Sequence, residues 1–207
     1  MINFEQQDDK DHWENVYETK NPDEVSWTQK IPQTSLDLIE EASKDKSSKI
    51  IDIGGGDSHL TDFLLEKGFK NISVLDISAK ALEKAKERLG NQAKNIDWIA
   101  TNIIEFNPNT TYDIWHDRAA FHFLTTEEEI QKYVEIVKNA VSDTLIIGTF
   151  SVNGPQKCSG LQISQYDKEK LNAIFSQDFE LVKSFTEDHI TPFNTVQNFI
   201  FCQFKKK

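Results

Sequence analysis

The residues best suited to chemistry surround a glycine-rich turn. Gly54, Gly55 and Gly56 follow a short apolar segment, and Asp52 stands inside that segment. Glycine lets the backbone turn sharply and lets a ligand approach closely, and the N-terminus of a following helix offers free N–H groups. Asp76 ends the next apolar segment, about 20 residues on, which is the spacing of a carboxylate that accepts ribose hydroxyl hydrogen bonds. We expect a nucleoside ligand here, with an ordinary strand-to-helix turn as the alternative.

The order of the glycines distinguishes between nucleoside ligands. A dinucleotide site has the pattern G-x-G-x-x-G, and His59 stands where its last glycine would be, which disfavours a nicotinamide-dependent oxidoreductase. An acid two residues before Gly54, followed by Gly56, instead resembles the D/E-x-G-x-G-x-G signature of class I S-adenosylmethionine (SAM) methyltransferases. Ser58 replaces the last glycine of that signature.

The resemblance extends over residues 49–150 and implies roles for further residues. It places Asp76 on the ribose hydroxyls, Ile77 against adenine, and Asn102 at the adenine amino group, with Ile103 next to it in the same motif. It implies SAM as the cofactor and S-adenosylhomocysteine (SAH) as the product. The predicted cofactor-binding residues are Trp13, Trp27, Asp52, Gly54, Gly55, Gly56, Ser58, Asp76, Ile77, Asn102, Ile103 and Asp117.

An aromatic segment before the first strand is similar to a lid in two methyltransferase subgroups. Residues 12–17 and 25–27 resemble the lid of thiopurine and thiol methyltransferases and the lid of small protein-lysine methyltransferases. The lysine enzymes usually carry Asp-Lys-Gly-Thr where this chain has residues 117–120. We therefore expect methyl transfer to a small molecule, with protein-lysine methylation or non-catalytic SAM binding as alternatives. Trp13 and Trp27 either stack on the cofactor or fill the core.

Candidate catalytic groups follow the fourth predicted strand. We expect Asp117 to end this strand and to face the acceptor, with His116 and His122 as further candidate bases; His122 is alternatively a packed core histidine. Cys158 follows Lys157, whose charge would lower the thiol pKa, although a spectator thiol is the other interpretation. No His/Cys spacing is typical of a structural zinc site, so we predict no metal.

The elements that must position these residues alternate between apolar runs and amphipathic patterns. We predict strands at 49–53, 72–76, 96–100, 112–116 and 144–150, helices over 58–67, 78–89, 126–139 and 167–175, and a closing hairpin of 179–185 and 197–204. Together with the resemblance, this implies a Rossmann-like, doubly wound α/β fold: a mostly parallel seven-stranded sheet with an antiparallel last strand. Residues 1–45 are predicted as a helical lid without independent folding, and residues 46–207 as the SAM-binding domain.

Composition disfavours several classes of protein. The chain has 207 residues, with 23 Lys and Arg against 34 Asp and Glu, and a net charge of −11 disfavours nucleic acid as a partner. Two cysteines are too few for a disulfide framework, and no apolar run has the length of a membrane span. We predict a cytoplasmic protein that does not interact with membranes; the sequence leaves the oligomeric state open.

Overall fold

The computed structural model describes residues 4–207, with side chains from residue 9 onward. Its elements, in chain order, are α1 (Phe4–Thr19), α2 (Gln33–Ala42), β1 (Lys49–Ile53), α3 (Leu60–Glu66), β2 (Asn71–Asp76), α4 (Ala79–Leu89), β3 (Ile96–Ala100), β4 (Tyr112–Arg118), α5 (Glu127–Ala140), β5 (Val141–Phe150), β6 (Lys157–Cys158), β7 (Leu161–Gln162), α6 (Lys168–Phe175), β8 (Phe179–Ile190) and β9 (Val196–Lys206).

Seven of these strands form one sheet in the order β3-β2-β1-β4-β5-β9-β8. β1 to β5 run parallel, whereas β9 lies antiparallel between β5 and β8. The chain order reverses between β1 and β4, which is the switch point where ligands bind in doubly wound folds. The predicted fold class is confirmed, and β6 and β7 form a separate small hairpin.

Helices cover both faces of the sheet. On one face, α5 and α6 bury Tyr133 and Phe175 against Trp115 of β4. On the other, α2, α3 and α4 contribute Leu36, Ile39, Leu60, Leu64 and Leu82 to a second cluster. Since α2 is a core helix, only α1 and the segment after it are placed to act as a lid. The proposed boundary at residue 45 stays a prediction.

Local sequence signals set most helix ends. The Ser78 side chain accepts a hydrogen bond from the backbone N–H of Ala81 and so caps α4. Thr126 and Glu129 form the predicted capping box of α5. Gly68, which follows the C-cap of α3, has φ +86°, a left-handed conformation that glycine adopts without strain.

Several strands are longer than the sequence pattern predicts: β8 and β9 extend beyond 179–185 and 197–204, and β4 and β5 are extended as well. β4 continues through Asp117 and Arg118 instead of ending at His116, and β5 begins at Val141 rather than Thr144. The cause is pairing: Asp117 and Arg118 lie opposite Ile147 and Gly148 of β5, so the ladder extends beyond the apolar run. The extension decides which face each polar residue occupies.

Among the residues that the structure describes, no helix has the length and apolar character that crossing a bilayer requires.

Candidate active site

A cavity of about 420 Å³ opens at the carboxyl ends of β1, β2 and β4, beneath the segment that follows α1. Its walls include the glycine turn and Asp76 on one side, and Arg118, Cys158 and Leu161 on the other. Most of the predicted cofactor residues line it: Trp13, Trp27, Asp52, Gly54, Gly55, Ser58, Asp76, Ile77, Asn102 and Ile103. Tertiary structure therefore brings residues from five separate chain segments to one opening.

Asp76 borders the cavity at the carboxyl end of β2, where the sequence predicts the nucleoside. It is 5% exposed, and its Oδ1 accepts a hydrogen bond of 2.8 Å from the backbone N–H of Ser78. Burial, with the nearby carboxylates of Asp52 and Glu14, raises the pKa of Asp76 to about 7. A Cβ on Gly56, which has φ +44°, would lie 2.8 Å from Tyr17 Oη and 2.9 Å from Asp76 Oδ2, so the packing of these two side chains requires glycine here.

Asp52 has the partner that its place in an apolar strand requires. Its Oδ1 lies 2.7 Å from Nδ1 of His116 on the neighbouring strand, and Nε2 of His116 lies 2.9 Å from Ser35 Oγ on α2. All three side chains are buried. A Cβ on Gly55 would come within 2.5 Å of Asp52 Oδ2, so this glycine is needed for the close approach. His116 is committed to this network, which argues against its predicted role as a base.

The predicted adenine-side residues lie together at the ends of β2 and β3. Ile77, Asn102 and Ile103 line the cavity and are half-buried. Asn102 Oδ1 accepts a hydrogen bond of 3.2 Å from the backbone N–H of Ile104, which uses one of its two lone pairs. Ser58 Oγ, at the glycine turn, accepts from the backbone N–H of Leu60 at 3.1 Å.

An aromatic wall closes the cavity above the glycine turn. The rings of Trp13 and Trp27 meet edge to face with centroids 5.6 Å apart, and Trp13 also meets Phe123 at 5.1 Å. Tyr17 lies beside Trp27 at 6.4 Å, and burial, with the Asp76 carboxylate, raises the pKa of its hydroxyl. Both predicted tryptophans thus contact each other and border the ligand space.

Glu14 anchors α1 over this opening. Its carboxylate accepts hydrogen bonds from the backbone N–H groups of Ala79 and Lys80, at 2.9 and 3.2 Å, and from Ser78 Oγ at 3.1 Å. These donors form the first turn of α4, where the helix dipole favours negative charge. Long-range capping by Glu14 therefore holds the lid helix against the domain.

Replacing Glu14 should loosen α1. Glu14→Ala is expected to lower the free energy of unfolding by about 1–2 kcal/mol, the usual effect of losing a helix cap, and to speed proteolysis near α1. Urea denaturation and limited trypsin digestion measure both effects. Glu18→Ala is the matched control, because Glu18 forms a solvent-exposed ion pair with Lys80, and its loss should have little effect on either result. Equal behaviour of the two variants would contradict the anchoring role.

Asp117 does not face the acceptor as predicted. Because β4 continues past it, its side chain points to the opposite face from His116 and Arg118, and it does not line the cavity. Its carboxylate accepts hydrogen bonds from Tyr133 Oη at 2.7 Å and from the backbone N–H groups of Ala120 and Phe121. The prediction of Asp117 as a catalytic and cofactor-contacting residue is wrong; it holds the cavity-lining segment 119–123 in place.

Buried Asp117 makes the stability of the protein depend on pH. Burial raises the pKa of Asp117 to about 6, although Tyr133 opposes the shift. The unfolded value is about 3.9, so the native state binds more protons between about pH 4 and 6. The contribution of Asp117 to stability therefore falls as the pH rises through that window. The hydrogen bond from Tyr133 stabilises the ionised carboxylate of Asp117.

Tyr133→Phe should accordingly be more harmful at high pH. We expect the loss in the free energy of unfolding to be about 1 kcal/mol greater at pH 8 than at pH 5, because hydrogen bonds to ionised groups are stronger than neutral ones. Urea denaturation at the two pH values measures the difference. In an Asp117→Asn background the pH dependence should vanish; its persistence there would show that another group causes it.

His122 and Cys158 are not the reactive groups that the sequence allows. His122 is buried, does not line the cavity, and stacks on Phe150 with ring centroids 4.4 Å apart. Burial and the charge of Arg118 lower its pKa to about 3, so the prediction of a catalytic base is wrong and the core interpretation holds. Cys158 borders the cavity, but burial raises its pKa to about 11, opposite to the effect expected from Lys157.

Comparison with known proteins assigns the domain. Residues 51–144, which include the glycine turn, Asp76 and Asn102, match a family described as a methyltransferase domain. Over these residues the chain is similar to a methyltransferase domain, in agreement with the resemblance seen in the sequence. The solved structure of a SAM-dependent methyltransferase from Anabaena variabilis has the same fold, with a TM-score of 0.75, 16% sequence identity, and coverage of 100% of this chain and 96% of that one.

Two curated relatives match just over half of this chain. A mouse eEF1A lysine and N-terminal methyltransferase is 25% identical over 122 residues, covering 58% of this chain and 17% of that protein. A malonyl-[acyl-carrier protein] O-methyltransferase 1 from Ilyobacter polytropus is 31% identical over 107 residues, which cover 51% of this chain and 39% of that protein. The chain thus spans well under half the length of either relative.

The cavity fits SAM, the methyl donor of class I domains. Its buried carboxylate suits a ribose diol, its apolar side chain at Ile77 suits a planar base, and Gly54 and Gly55 border the space that a ligand would enter. Gly56, a predicted cofactor residue, does not line the cavity. The sequence analysis assigned no individual role to three residues that border or close the site: Glu14, Tyr17 and Arg118. Glu14 and Tyr17 lie within residues 12–17, which resemble a lid, and Arg118 shares strand alternation with His116.

Proposed function

We propose that this protein binds SAM in the cavity and transfers the methyl group to a small-molecule acceptor. Bound SAM supplies a methyl group on a sulfonium, which an acceptor displaces in line when both are held in contact. The observation that carries the proposal is Asp76, a buried carboxylate that borders the cavity at the end of β2. Beyond its bonds with the backbone N–H groups of Ser78 and Gly56, its two oxygens retain acceptor capacity that ribose hydroxyls would satisfy.

Other cavity residues would orient the rest of the cofactor. Ile77 and Ile103 would contact adenine, Asn102 would bond its amino group, and the glycine turn would receive the methionine portion. Trp13 and Trp27 would cover the bound molecule and exclude water, which strengthens the polar contacts inside. These assignments use the residues that the sequence predicted, apart from Asp117.

Alignment is the main catalytic contribution that these residues offer. His116 is bonded to Asp52 and Ser35, while Asp117 and His122 point away from the cavity. A sulfonium carbon is already activated, so a base is needed only where the acceptor must lose a proton. The site therefore suits an acceptor atom that is nucleophilic at neutral pH.

Protein-lysine methylation is the second candidate. The net charge of −11 favours a basic protein substrate, and the similarity to a mouse eEF1A lysine and N-terminal methyltransferase supports it independently. The alternative of a SAM-binding protein without catalysis rests on Ser58 and Asn102, which replace the glycine and aspartate usual in the family.

Calorimetric titration of SAM and SAH tests the proposal, with NAD as the negative control. We expect micromolar binding of both and none of NAD. Failure of SAM and SAH to bind at millimolar concentration would overturn it. Tritiated SAM added with the protein to cell lysate then separates the candidates. Label in small molecules supports a small-molecule acceptor, and a labelled protein band supports protein-lysine methylation. The absence of any transfer supports SAM binding without catalysis.

A further inference from the structure

Arg118 lies at the end of the cavity away from the predicted nucleoside site. It closes β4, and the cavity wall around it includes Cys158 and Leu161 of the β6–β7 hairpin. Its Nη1 donates a 3.2 Å hydrogen bond to the backbone carbonyl of Trp27, and its guanidinium lies 4.7 Å from the ring centroid of Phe199. The lid segment, the sheet and the hairpin thus converge on this one cation.

The positive charge of Arg118 has no anionic partner among residues 9–207. None of the ion pairs of that part of the chain includes it, and its buried Nε has no hydrogen-bond acceptor there. The acids whose charge reaches it, Asp52 and Glu187, are bonded to His116 and Thr34. Burial lowers the pKa of Arg118 to about 10, so it remains cationic at neutral pH.

Arg118 is half-buried, and its Nε is shielded from solvent. A cation in such a place without a counter-ion is unfavourable, and a bound anion would supply the missing charge. The other titratable groups near it supply none: burial keeps the Cys158 thiol protonated, and burial and the charge of Arg118 lower the pKa of His189. Guanidinium donors match a carboxylate in shape as well as in charge. The same charge repels an ammonium group, so this end of the cavity disfavours a lysine side chain.

We propose that Arg118 binds a carboxylate of the methyl acceptor, so that the acceptor is a small organic acid. The inference rests on the proposed function and extends it by naming the substrate class. The nucleoside end of the cavity, at β2 and β3, lies across β1 from β4, which places Arg118 on the acceptor side. Arg118 is a binding residue here, and no proton transfer is assigned to it.

Paired probes that differ only in charge test the inference. Benzoate and the neutral benzamide are titrated into the SAH-saturated protein, with tryptophan fluorescence from Trp13 and Trp27 as the readout. Benzoate should bind at least about tenfold more tightly, as expected for hydrogen bonds to a charged group. Arg118→Met should abolish that preference while SAH affinity stays within about threefold. Lys157→Met, which removes an exposed cation outside the cavity, should leave the preference unchanged.

Thermal melting separates binding from a structural role. If Arg118 awaits an anion, the ligand-free Arg118→Met protein should melt at the parent temperature or above, since an uncompensated charge has been removed. A marked drop in melting temperature would indicate a structural arginine and would overturn the inference. Arg118→Lys, which keeps the charge, provides a second variant should the methionine protein fail to fold, and should retain part of the benzoate preference.

Three binding results would also overturn the proposed role of Arg118. One is equal or undetectable binding of benzoate and benzamide, and another is a preference that survives Arg118→Met. The third is loss of SAH binding in Arg118→Met with unchanged binding of methylthioadenosine, which lacks a carboxylate, because Arg118 would then serve the cofactor. If the parent does not bind SAH, the proposed function fails separately, and the same titrations on the free protein still decide the role of Arg118.

Discussion

Asp76→Ala should weaken SAM binding by about 100-fold. The carboxylate would accept hydrogen bonds from ribose hydroxyls, each worth about 1.5–3 kcal/mol when the acceptor is charged and buried. Losing these bonds removes the largest polar contribution that the nucleoside end of the cavity offers. Calorimetry with SAM and SAH measures the loss directly.

The pH dependence of binding gives a second test of Asp76. Because burial raises the pKa of Asp76 to about 7, its carboxyl is largely ionised at pH 8 and largely protonated at pH 6. A protonated carboxyl accepts fewer hydrogen bonds, so SAM affinity should fall as the pH decreases from 8 to 6. The Asp76→Asn protein should show no such change, since its amide does not titrate.

Stability should respond in the opposite sense. The raised pKa means that the ligand-free native state binds more protons than the unfolded chain between about pH 4 and 7, so ionised Asp76 destabilises it as the pH rises. Asp76→Asn should therefore raise the melting temperature at pH 8.

Asp97→Ala is the control for the SAM-binding experiments, because Asp97 lies exposed on neighbouring β3 and outside the cavity. Parent-like SAM affinity in Asp76→Ala would contradict the nucleoside assignment.

Asp52→Ala should lower the free energy of unfolding by about 3 kcal/mol. It leaves buried His116 without its partner at Nδ1, and removing one member of a buried hydrogen-bonded pair exposes the full desolvation penalty of the other. Urea denaturation monitored by circular dichroism measures the change. The bond between His116 and Ser35 remains, so Ser35→Ala should have a smaller effect, near 1 kcal/mol.

Two further variants make the network test specific. Asp52→Asn keeps an acceptor for His116 and should recover most of the lost stability. Asp113→Ala is the matched control, since Asp113 also sits on the sheet and accepts from the backbone N–H of Lys49, but it does so near the surface. If Asp113→Ala and Asp52→Ala are equally destabilising, the buried network has no special importance.

Local sequence signals alone determined most of the architecture. Apolar runs separated by amphipathic patterns predicted the parallel strands and their helices, and Ser78, Thr126 and Gly68 marked helix ends where the structure has them. The glycine turn and Asp76 were predicted to border one site from their spacing in the chain, and Gly54, Gly55 and Asp76 line the same cavity. The sequence placed Asp52 inside an apolar strand, but it did not indicate His116 as the partner of Asp52.

Tertiary structure decided the acceptor end of the cavity. The face of Asp117 depends on how far β4 pairs with β5, which composition does not reveal. Burial reversed the expected pKa shift of Cys158, although its neighbour in the sequence is a lysine. Glu14 meets Ser78 64 residues away, and Arg118 meets Trp27 91 residues away. Contacts at such separations follow from packing of the whole chain, so no local pattern predicts which charges they satisfy and which they leave for a ligand.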